Sequence, residues 1–254
     1  MTTVQRIAAL YDIHGNLPAL EAVLDVVRRE SVDLIVVGGD VFPGPLCLES
    51  LQRLMALDVP VQFIKGNGDR ETCSLGEGLV SSSVPARYVP SMQWVADQMQ
   101  ADTRRFVQAW PATTTVDLDG VGRVLFCHAT PTSDTDIFTR LTPEARLRPL
   151  FEDTGADLVI CGHTHMAFDR RIGKVRVVNA GSVGMPFGEP AAYWLLLTQE
   201  VQLRRETFDL SAAASRIAAS GYPMADEFVR QNLLEPPSEA QMLEVFAQAQ
   251  FGGP

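Results

Sequence analysis

The sequence lacks the features that mark several common classes of protein. Its 254 residues carry 31 acidic and 21 basic side chains, with no run of lysine or arginine, so we expect no binding to a nucleic-acid polymer. No apolar stretch is long enough to span a membrane, and none near the beginning resembles a secretory signal. The H-E-x-x-H motif of zinc proteases and the glycine-rich phosphate loop of nucleotide hydrolases are also absent.

Cysteine is scarce as well. The four cysteines, Cys47, Cys73, Cys127 and Cys161, lie far apart and form no C-x-x-C pair. This spacing indicates reduced thiols rather than a disulfide framework, which favours a cytoplasmic location.

What remains is typical of a globular protein with a large core, because 46% of the residues are apolar and 20% are charged. In the first third of the chain, short apolar runs alternate with amphipathic stretches. They predict strand 6–11, helix 17–30, strand 33–38, helix 45–57 and strand 61–66. This order predicts parallel strands joined by right-handed helical crossovers.

The rest of the chain is less regular. Residues 71–90 are rich in Gly, Ser and Pro and predict a long loop, followed by a helix over 91–110. Later alternating patterns predict hairpins, one with its turn at Gly173–Lys174. The tail predicts a helical C-terminal extension, residues 209–254, packed on a domain of residues 1–208. The loop and the tail are the expected specificity elements, as a lid, a substrate wall or a dimer surface; the sequence does not choose among these.

The sequence has only four histidines, and all four have similar positions. Each directly follows the carboxyl end of a predicted strand, as do two aspartates and one asparagine. The seven residues are Asp12, His14, Asp40, Asn67, His128, His163 and His165. Taken singly, each motif is more often a turn or a structural hydrogen bond than a ligand. Ligands bind at the carboxyl edge of open α/β sheets, however, so seven such side chains at one edge indicate a common site.

The residue types of this set indicate metal chemistry. Imidazole, carboxylate and amide groups suit Mn²⁺, Fe²⁺, Ni²⁺ or Zn²⁺ rather than a thiolate-type site. Seven groups are too many for one tetrahedral ion, but they suit two ions that share a bridging carboxylate. A hydroxide held between two such ions would be a nucleophile for in-line displacement at phosphorus near neutral pH.

The order of the motifs resembles that of the calcineurin-like metallophosphoesterases. That family has D-x-H, G-D, G-N-H-[DE], a single H and G-H-x-H. The corresponding motifs here are DIH (12–14), GGD (38–40), GNGD (66–69), FCH (126–128) and GHTH (162–165). The resemblance covers most of residues 6–208. It is strongest to the small bacterial and archaeal members, which are often labelled phosphodiesterases or diadenosine-tetraphosphatase-like proteins.

The resemblance implies a ligand set, a fold and a cofactor. One metal ion would be held by Asp12, His14, Asp40 and His165, and the second by Asp40, Asn67, His128 and His163, with Asp40 as the bridge. The ions would be divalent or trivalent, with manganese or iron expected first and nickel or zinc as alternatives. The implied fold is a four-layer α-β-β-α sandwich of two mixed sheets. Asp40, Asn67 and His128 are also the expected catalytic residues.

One position departs from the family pattern. Gly68 stands where the family has a histidine that stabilises the phosphoryl group or protonates the leaving oxygen. General-acid assistance contributes typically 10²–10⁴-fold, so we expect a preference for esters with good leaving groups. Asp69 or Arg70 could substitute, and Arg70 is interpreted either as a phosphate clamp or as an exposed loop residue. We also expect a Gly68→His substitution to raise turnover of esters with poor leaving groups.

The expected function is therefore a dinuclear-metal phosphoesterase, and a phosphodiesterase first of all. The partner would be a small phosphoester substrate, and the C-terminal extension could join two copies of the chain. The alternatives are a dinucleoside polyphosphate hydrolase, a phosphoserine/phosphothreonine phosphatase and a non-catalytic protein-binding scaffold of the same fold.

Two further segments have expected structural roles. Asn16 is predicted to cap the helix that begins near Leu17. Residues 179–182 (NAGS) either support the site through backbone contacts or form a plain turn.

Overall fold

Two five-stranded sheets form the centre of the protein. The structure is a computed structural model that describes residues 4–82 and 84–249. The strands of this part of the chain are β1 (Ile7–Leu10), β2 (Leu34–Val37), β3 (Val61–Phe63), β4 (Thr113–Leu118), β5 (Gly122–Cys127), β6 (Leu158–Cys161), β7 (Phe168–Ile172), β8 (Val175–Asn179), β9 (Ala192–Leu197) and β10 (Val201–Glu206).

Helices cover the outer faces of the sheets. Those in the described residues are α1 (Leu17–Glu30), α2 (Cys47–Met55), α3 (Asn67–Leu75), α4 (Val89–Gln98), α5 (Ala101–Gln108), α6 (Glu144–Phe151), α7 (Leu210–Ala218), α8 (Ala225–Val229) and α9 (Glu239–Ala249). A π-helical segment, Arg230–Leu234, continues α8. None of these helices has the length and apolar character needed to cross a membrane.

Both sheets are mixed. The first has the order β10-β9-β1-β2-β3, and the second has the order β4-β5-β6-β8-β7. Strands β1, β2 and β3 are parallel, as the sequence pattern predicted, and β9 and β10 extend that sheet in antiparallel fashion. In the second sheet, β5, β6 and β8 are parallel. The carboxyl ends of β1, β2, β3, β5 and β6 therefore provide the loops from which a site can be built.

Strand alternation produces the layers. Ala9 of β1 belongs to an apolar cluster with Phe126 and Ile160 of the second sheet, so the two sheets face each other. The next residue, Leu10, lies in a different cluster with Leu20 of α1 on the outer face of the first sheet. Successive side chains of a strand point to opposite faces, which explains the division.

The second sheet is covered on its outer side by α6. Leu147 and Phe151 of this helix share a cluster with Cys127 and Cys161, which are free and buried thiols. The architecture is thus α-β-β-α, which confirms the predicted four-layer sandwich of two mixed sheets.

The local predictions for the middle of the chain were partly wrong. Residues 71–90 were predicted as loop, but α3 extends through Leu75 and α4 begins at Val89. The single helix predicted over 91–110 is two helices, α4 and α5, separated by a break at Met99–Gln100. Helix α3 was missed because it buries charged side chains, among them Asp69 and Glu71, instead of an apolar stripe.

The C-terminal extension packs on the first sheet's helical layer. Ile217, Phe228 and Leu233 are buried in the same cluster as α1. Helix α9 buries no residue of its own. Its contacts with the rest include a salt bridge of 2.8 Å between Arg140 and Glu239 and the ring of Phe246, whose centroid is 6.1 Å from that of Phe187. A domain boundary at residues 208–209 stays a prediction.

Candidate metal centre

The seven predicted ligands meet at the carboxyl ends of five strands. Asp12 and His14 follow β1, Asp40 follows β2, and Asn67 follows β3 as the first residue of α3. His128 directly follows β5, and His163 and His165 follow β6. The structure therefore brings together side chains from both sheets, although more than 150 positions of the chain separate Asp12 from His165.

The first group of ligands consists of Asp12, His14 and His165, whose ligand atoms all lie within 4.8 Å of one another. Nε2 of His14 is 3.3 Å from Nε2 of His165. Oδ1 of Asp12 is 3.4 Å from the same nitrogen of His165. These distances are close to those expected between ligands that share one ion.

The second group consists of Asp40, His128 and His163, with the same spacing limit of 4.8 Å. The amide of Asn67 adjoins it, at 3.1 Å from Nε2 of His128 and 3.0 Å from Nδ1 of His163. With its oxygen turned inward, this amide adds a further lone pair to those of the two imidazoles, as a cation requires. With its nitrogen turned inward, it would donate a hydrogen bond to Nδ1 of His163.

Asp40 lies between the two groups. Its Oδ2 is 3.4 Å from Nε2 of His128 in the second group and 3.6 Å from Nε2 of His14 in the first. A carboxylate with one oxygen near both groups has the geometry of a bridge, as the resemblance implied for Asp40.

Backbone carbonyls orient three of the imidazole rings. Nδ1 of His14, His128 and His165 lies 3.1, 2.9 and 2.8 Å from the carbonyl oxygens of Pro43, Gly38 and Met185, respectively. A carbonyl accepts only from a protonated nitrogen, so Nδ1 carries the hydrogen in each ring. Nε2 then faces the site as the ligand atom, an arrangement typical of metal-binding histidines. Sequence reasoning could not identify these three carbonyls, because a main-chain oxygen has no residue-type signal.

The backbone of the site is strained. Six non-glycine residues of the described chain have a positive φ, and five of them are predicted ligands: Asp12 (52°), His14 (45°), Asp40 (53°), His163 (66°) and His165 (55°). Such conformations are costly for residues with a Cβ and persist where the surrounding structure enforces them, often at functional sites.

Glycines flank the ligands because the loops approach each other closely. A Cβ on Gly66 would lie 2.1 Å from Oδ1 of Asp40, and one on Gly68 would lie 2.3 Å from the carbonyl oxygen of Phe42. The expectation that Gly68→His would raise turnover is therefore opposed by the structure. A histidine at this position could be accommodated only if the loop that carries Asp40 moved, so its imidazole would not simply add a proton donor to an otherwise unchanged site.

Asp69 links these loops by hydrogen bonds. Its buried carboxylate accepts hydrogen bonds from the backbone N–H groups of Asp40 (2.8 Å), Phe42 (3.0 Å) and Gly66 (2.9 Å). Burial and the adjacent Asp40 carboxylate raise the pKa of Asp69 to about 7, whereas the backbone hydrogen bonds oppose that shift. Asp69 therefore positions Asp40, the predicted bridge, a role that the place of Asp69 in the motif alone did not reveal.

The end of β8 and the residues after it also support the site, as one of the two predictions for residues 179–182 stated. Ser182 donates from its hydroxyl to the carbonyl oxygen of Asp12 at 2.8 Å, and Asn179 donates to that of Gly162 at 2.6 Å. Asn16 caps α1 by accepting from the backbone N–H of Ala19 at 3.3 Å, as predicted.

The charges of the ion-free site are arranged in pairs. Burial would raise the pKa values of both aspartates, but imidazolium groups outweigh burial and lower them, His165 for Asp12 and His128 for Asp40. Burial likewise opposes a proton on His128, yet Asp40 raises the pKa of His128 to about 10. The pKa of His163 is lowered to about 4 by burial and by His128. Protonated imidazoles thus supply the positive charge that a metal ion would provide.

The residues present fit two metal ions. Oδ1 of Asp12 is completely buried and accepts no hydrogen bond from the described residues. A buried carboxylate oxygen that accepts no hydrogen bond is costly, and this one lies 3.4 Å from Nε2 of His165, a nitrogen that can itself bind a metal ion. A cation bound in each group by these oxygen and nitrogen atoms would satisfy the buried carboxylate oxygen. Which metals bind stays a prediction.

Arg70 has other partners in this structure. Its guanidinium donates to both carboxylate oxygens of Asp134, at 2.7 and 3.1 Å, and to Glu71 at 2.7 Å. Within the described part of the chain, Arg70 does not line the cavity that opens from the metal ligands. Its role as a phosphate clamp stays a prediction.

That cavity has a volume of about 880 Å³. Five of the predicted ligands line it, namely His14, Asp40, Asn67, His163 and His165. Other parts of the lining come from the segment around α4 and from the C-terminal extension. Sequence reasoning left the roles of these two segments open, and the structure now places both beside the metal ligands.

Comparison with known proteins agrees with this geometry. A family model described as the calcineurin-like phosphoesterase superfamily domain matches residues 6–201. An uncharacterized protein of Methanocaldococcus jannaschii is 25% identical over 242 residues, which cover 85% of this chain and 93% of that protein.

Two solved structures show the same fold. The metallophosphoesterase from Sphaerobacter thermophilus superimposes with a TM-score of 0.70 at 23% identity, covering 89% of this chain and 97% of that one. A hypothetical protein from Pyrococcus horikoshii gives a TM-score of 0.75 at 19% identity, covering 92% and 99%. The family match spans the loops that carry all seven ligands, and the chain belongs to the calcineurin-like phosphoesterase superfamily.

Proposed function

We propose that the protein is a metal-dependent phosphodiesterase that acts on small diesters. The family supports a metal-dependent phosphoesterase, and the choice of a diester rests on one observation about charge. No lysine or arginine lines the cavity among the residues that the structure describes. Residues 1–3, 83 and 250–254, which lie outside that part, contain none in the sequence.

Acidic groups are present in the wall instead. Besides the ligand Asp40, the cavity is lined by Glu71, Asp136 and Glu227. A diester carries one negative charge at neutral pH, a monoester up to two and a dinucleoside polyphosphate several more. Each added charge would need a cation beyond the metal ions, and the wall offers carboxylates, so the diester is favoured.

The arginines near the cavity have partners already. Arg70 is bound to Asp134 and Glu71, as described above. Arg87 lies over the ring of Tyr88, with its guanidinium carbon 4.5 Å from the ring centroid, and hydrogen bonds the hydroxyl of that tyrosine. The charge of Arg70 is compensated by two carboxylates, and neither guanidinium lines the cavity.

The ligand residues would hold two metal ions, which supply Lewis-acid catalysis and lower the pKa of bound water. The protein itself contributes orientation: Asp69 and the three backbone carbonyls fix the bridging carboxylate and the imidazole rings. It contributes no histidine at position 68 for protonation of the leaving oxygen. Substrates with good leaving groups, such as aryl or cyclic diesters, are therefore the ones that this site serves best.

Hydrolysis of two chromogenic esters tests the proposal. With Mn²⁺ added, kcat/KM for bis-p-nitrophenyl phosphate should exceed that for p-nitrophenyl phosphate by at least about tenfold, since both release the same phenol and differ in charge. EDTA should abolish both activities. A faster monoester reaction would indicate a phosphomonoesterase instead, and faster hydrolysis of diadenosine tetraphosphate would indicate a polyphosphate hydrolase.

A matched pair of variants assigns the activity to the site. Asp40→Asn should lose at least about 10³-fold in kcat/KM because it removes the bridge, whereas Asp117→Asn, on the exposed face of β4, should retain the wild-type value. Equal activity of the two variants would show that the hydrolysis comes from a contaminant or from another site.

A further inference from the structure

The cavity is much larger than a phosphate group requires. Its volume of about 880 Å³ lies near the upper end of the range of roughly 300–1,000 Å³ that is typical of sites for whole organic ligands. The metal ligands occupy only part of its lining. The remainder is large enough to contact the organic portion of a substrate.

Part of the remaining lining is aromatic and thioether in character. We call this the aromatic wall, defined by Tyr88, Met92, Tyr222, Met224 and Phe228, all of which line the cavity. It joins two segments that are distant in sequence, the region around α4 and the C-terminal extension. Aromatic and methionine side chains offer large, polarisable contact surfaces that favour flat aromatic ligands.

Packing holds this wall in place. Met92 and Phe228 are each 6% exposed, so their side chains are fixed by the core behind them. The ring of Tyr222 lies edge-on to Trp94 with a centroid distance of 5.8 Å. A preformed wall binds a rigid ligand with little loss of conformational freedom.

The polar groups beside the wall are uncharged or acidic. Burial raises the pKa of Tyr222 to about 12, so its phenol stays neutral. Gln231 and Asn232 add amide groups, and Glu227 adds the acidic one. A ligand group with a negative charge would thus meet no cationic partner among the described residues of this part of the cavity.

From these features we infer that the aromatic wall is a subsite for an uncharged aromatic ester group of the substrate. The inference rests on the proposed phosphodiesterase function and narrows it to diesters with at least one flat, neutral aromatic substituent. The C-terminal extension then acts as a substrate wall and determines specificity.

Calorimetric titration of the Mn²⁺-loaded protein tests this without relying on turnover. The probes are dimethyl, dibutyl and diphenyl phosphate, which share one negative charge. Phenol release from diphenyl phosphate, the aryl ester among them, is followed in parallel so that its heat of binding is separated from any heat of hydrolysis. Diphenyl phosphate should bind with a Kd at least about tenfold below that of dimethyl phosphate and also below that of dibutyl phosphate. Equal Kd values for the three would overturn the inference.

Variants locate the effect. Tyr222→Ala should remove most of the difference between diphenyl and dimethyl phosphate, and Tyr222→Phe should preserve it because the ring remains. Tyr193→Ala, in β9 and outside the lining, is the matched control. If thermal melting shows that Tyr222→Ala is unfolded, Met224→Ala takes its place. A difference that survives in a folded Tyr222→Ala or Met224→Ala protein contradicts the subsite.

A charge-reversing substitution at Glu227 tests whether the aromatic wall favours an uncharged group. Phenyl 4-carboxyphenyl phosphate should bind more weakly than diphenyl phosphate to the wild type, and Glu227→Lys should reverse that order. Wild-type protein that prefers the carboxylated compound would overturn the assignment. The two proposals fail differently: no hydrolysis of bis-p-nitrophenyl phosphate removes the proposed function, whereas equal binding of the three diesters removes only the aromatic subsite.

Discussion

Nε2 of His14 lies 3.3 Å from Nε2 of His165, although 151 residues separate the two histidines in sequence. Both rings have Nδ1 at a backbone carbonyl, so the two remaining nitrogens face each other. Two lone pairs at this distance repel unless a proton or a metal ion lies between them. In the ion-free protein, burial lowers the pKa of His14, while Asp12 outweighs burial and raises that of His165.

Binding of metal should therefore release protons. The pKa of His128 is raised to about 10, so this ring is protonated at neutral pH until an ion displaces the proton. We expect the release of at least about one proton per chain, and metal affinity that increases with pH. Calorimetric titration of Mn²⁺ in two buffers of different ionisation enthalpy measures this. Heats that do not depend on the buffer would contradict it.

Asp69→Asn should weaken the metal site without altering a ligand. The amide has one acceptor oxygen in place of two, so at least one of three buried N–H groups loses its partner, at a cost of about 1–3 kcal/mol. We expect a lower midpoint of thermal unfolding and weaker binding of Mn²⁺. Asp117→Asn serves as the exposed control. A variant with unchanged affinity and unchanged melting temperature would show that the carboxylate does not fasten the loops.

Gly68→Ala should be disruptive for a steric reason. The new Cβ would lie 2.3 Å from the carbonyl oxygen of Phe42, so the loop carrying Asp40 must move, which costs about 1–3 kcal/mol and reduces metal affinity. The control is Gly155→Ala, where φ is positive but no atom lies within 4 Å of the new Cβ. It should lower stability and leave metal binding unchanged. Wild-type metal binding by Gly68→Ala would remove the steric account of this glycine.

The sequence predicted the site better than it predicted the details of the fold. All seven predicted ligands come together because each follows a strand, and parallel strands bring their carboxyl ends to one edge. The parallel β1-β2-β3 arrangement followed from local periodicity. The pairing of β9 with β1 did not, because strand pairing over such a separation leaves no local signal.

Other features depended on three-dimensional contacts. Helix α3 has polar residues on its buried side, since Asp69 and Glu71 face the site rather than solvent, and an apolar periodicity cannot reveal such a helix. The same holds for the strained backbone of Asp12 and His163, because a positive φ in a non-glycine residue is imposed by the neighbouring loops. The lack of space for a side chain at position 68 could be recognised only from the position of the Phe42 carbonyl oxygen.

The number of metal ions per chain tests the central claim most directly. Protein saturated with Mn²⁺ and freed of excess metal is measured by elemental analysis, beside the Asp40→Asn variant. The two groups of ligands, joined by Asp40, predict two ions per chain in the wild type and fewer in the variant. One ion or none in the wild type under saturating conditions, or two ions in Asp40→Asn, would contradict the account.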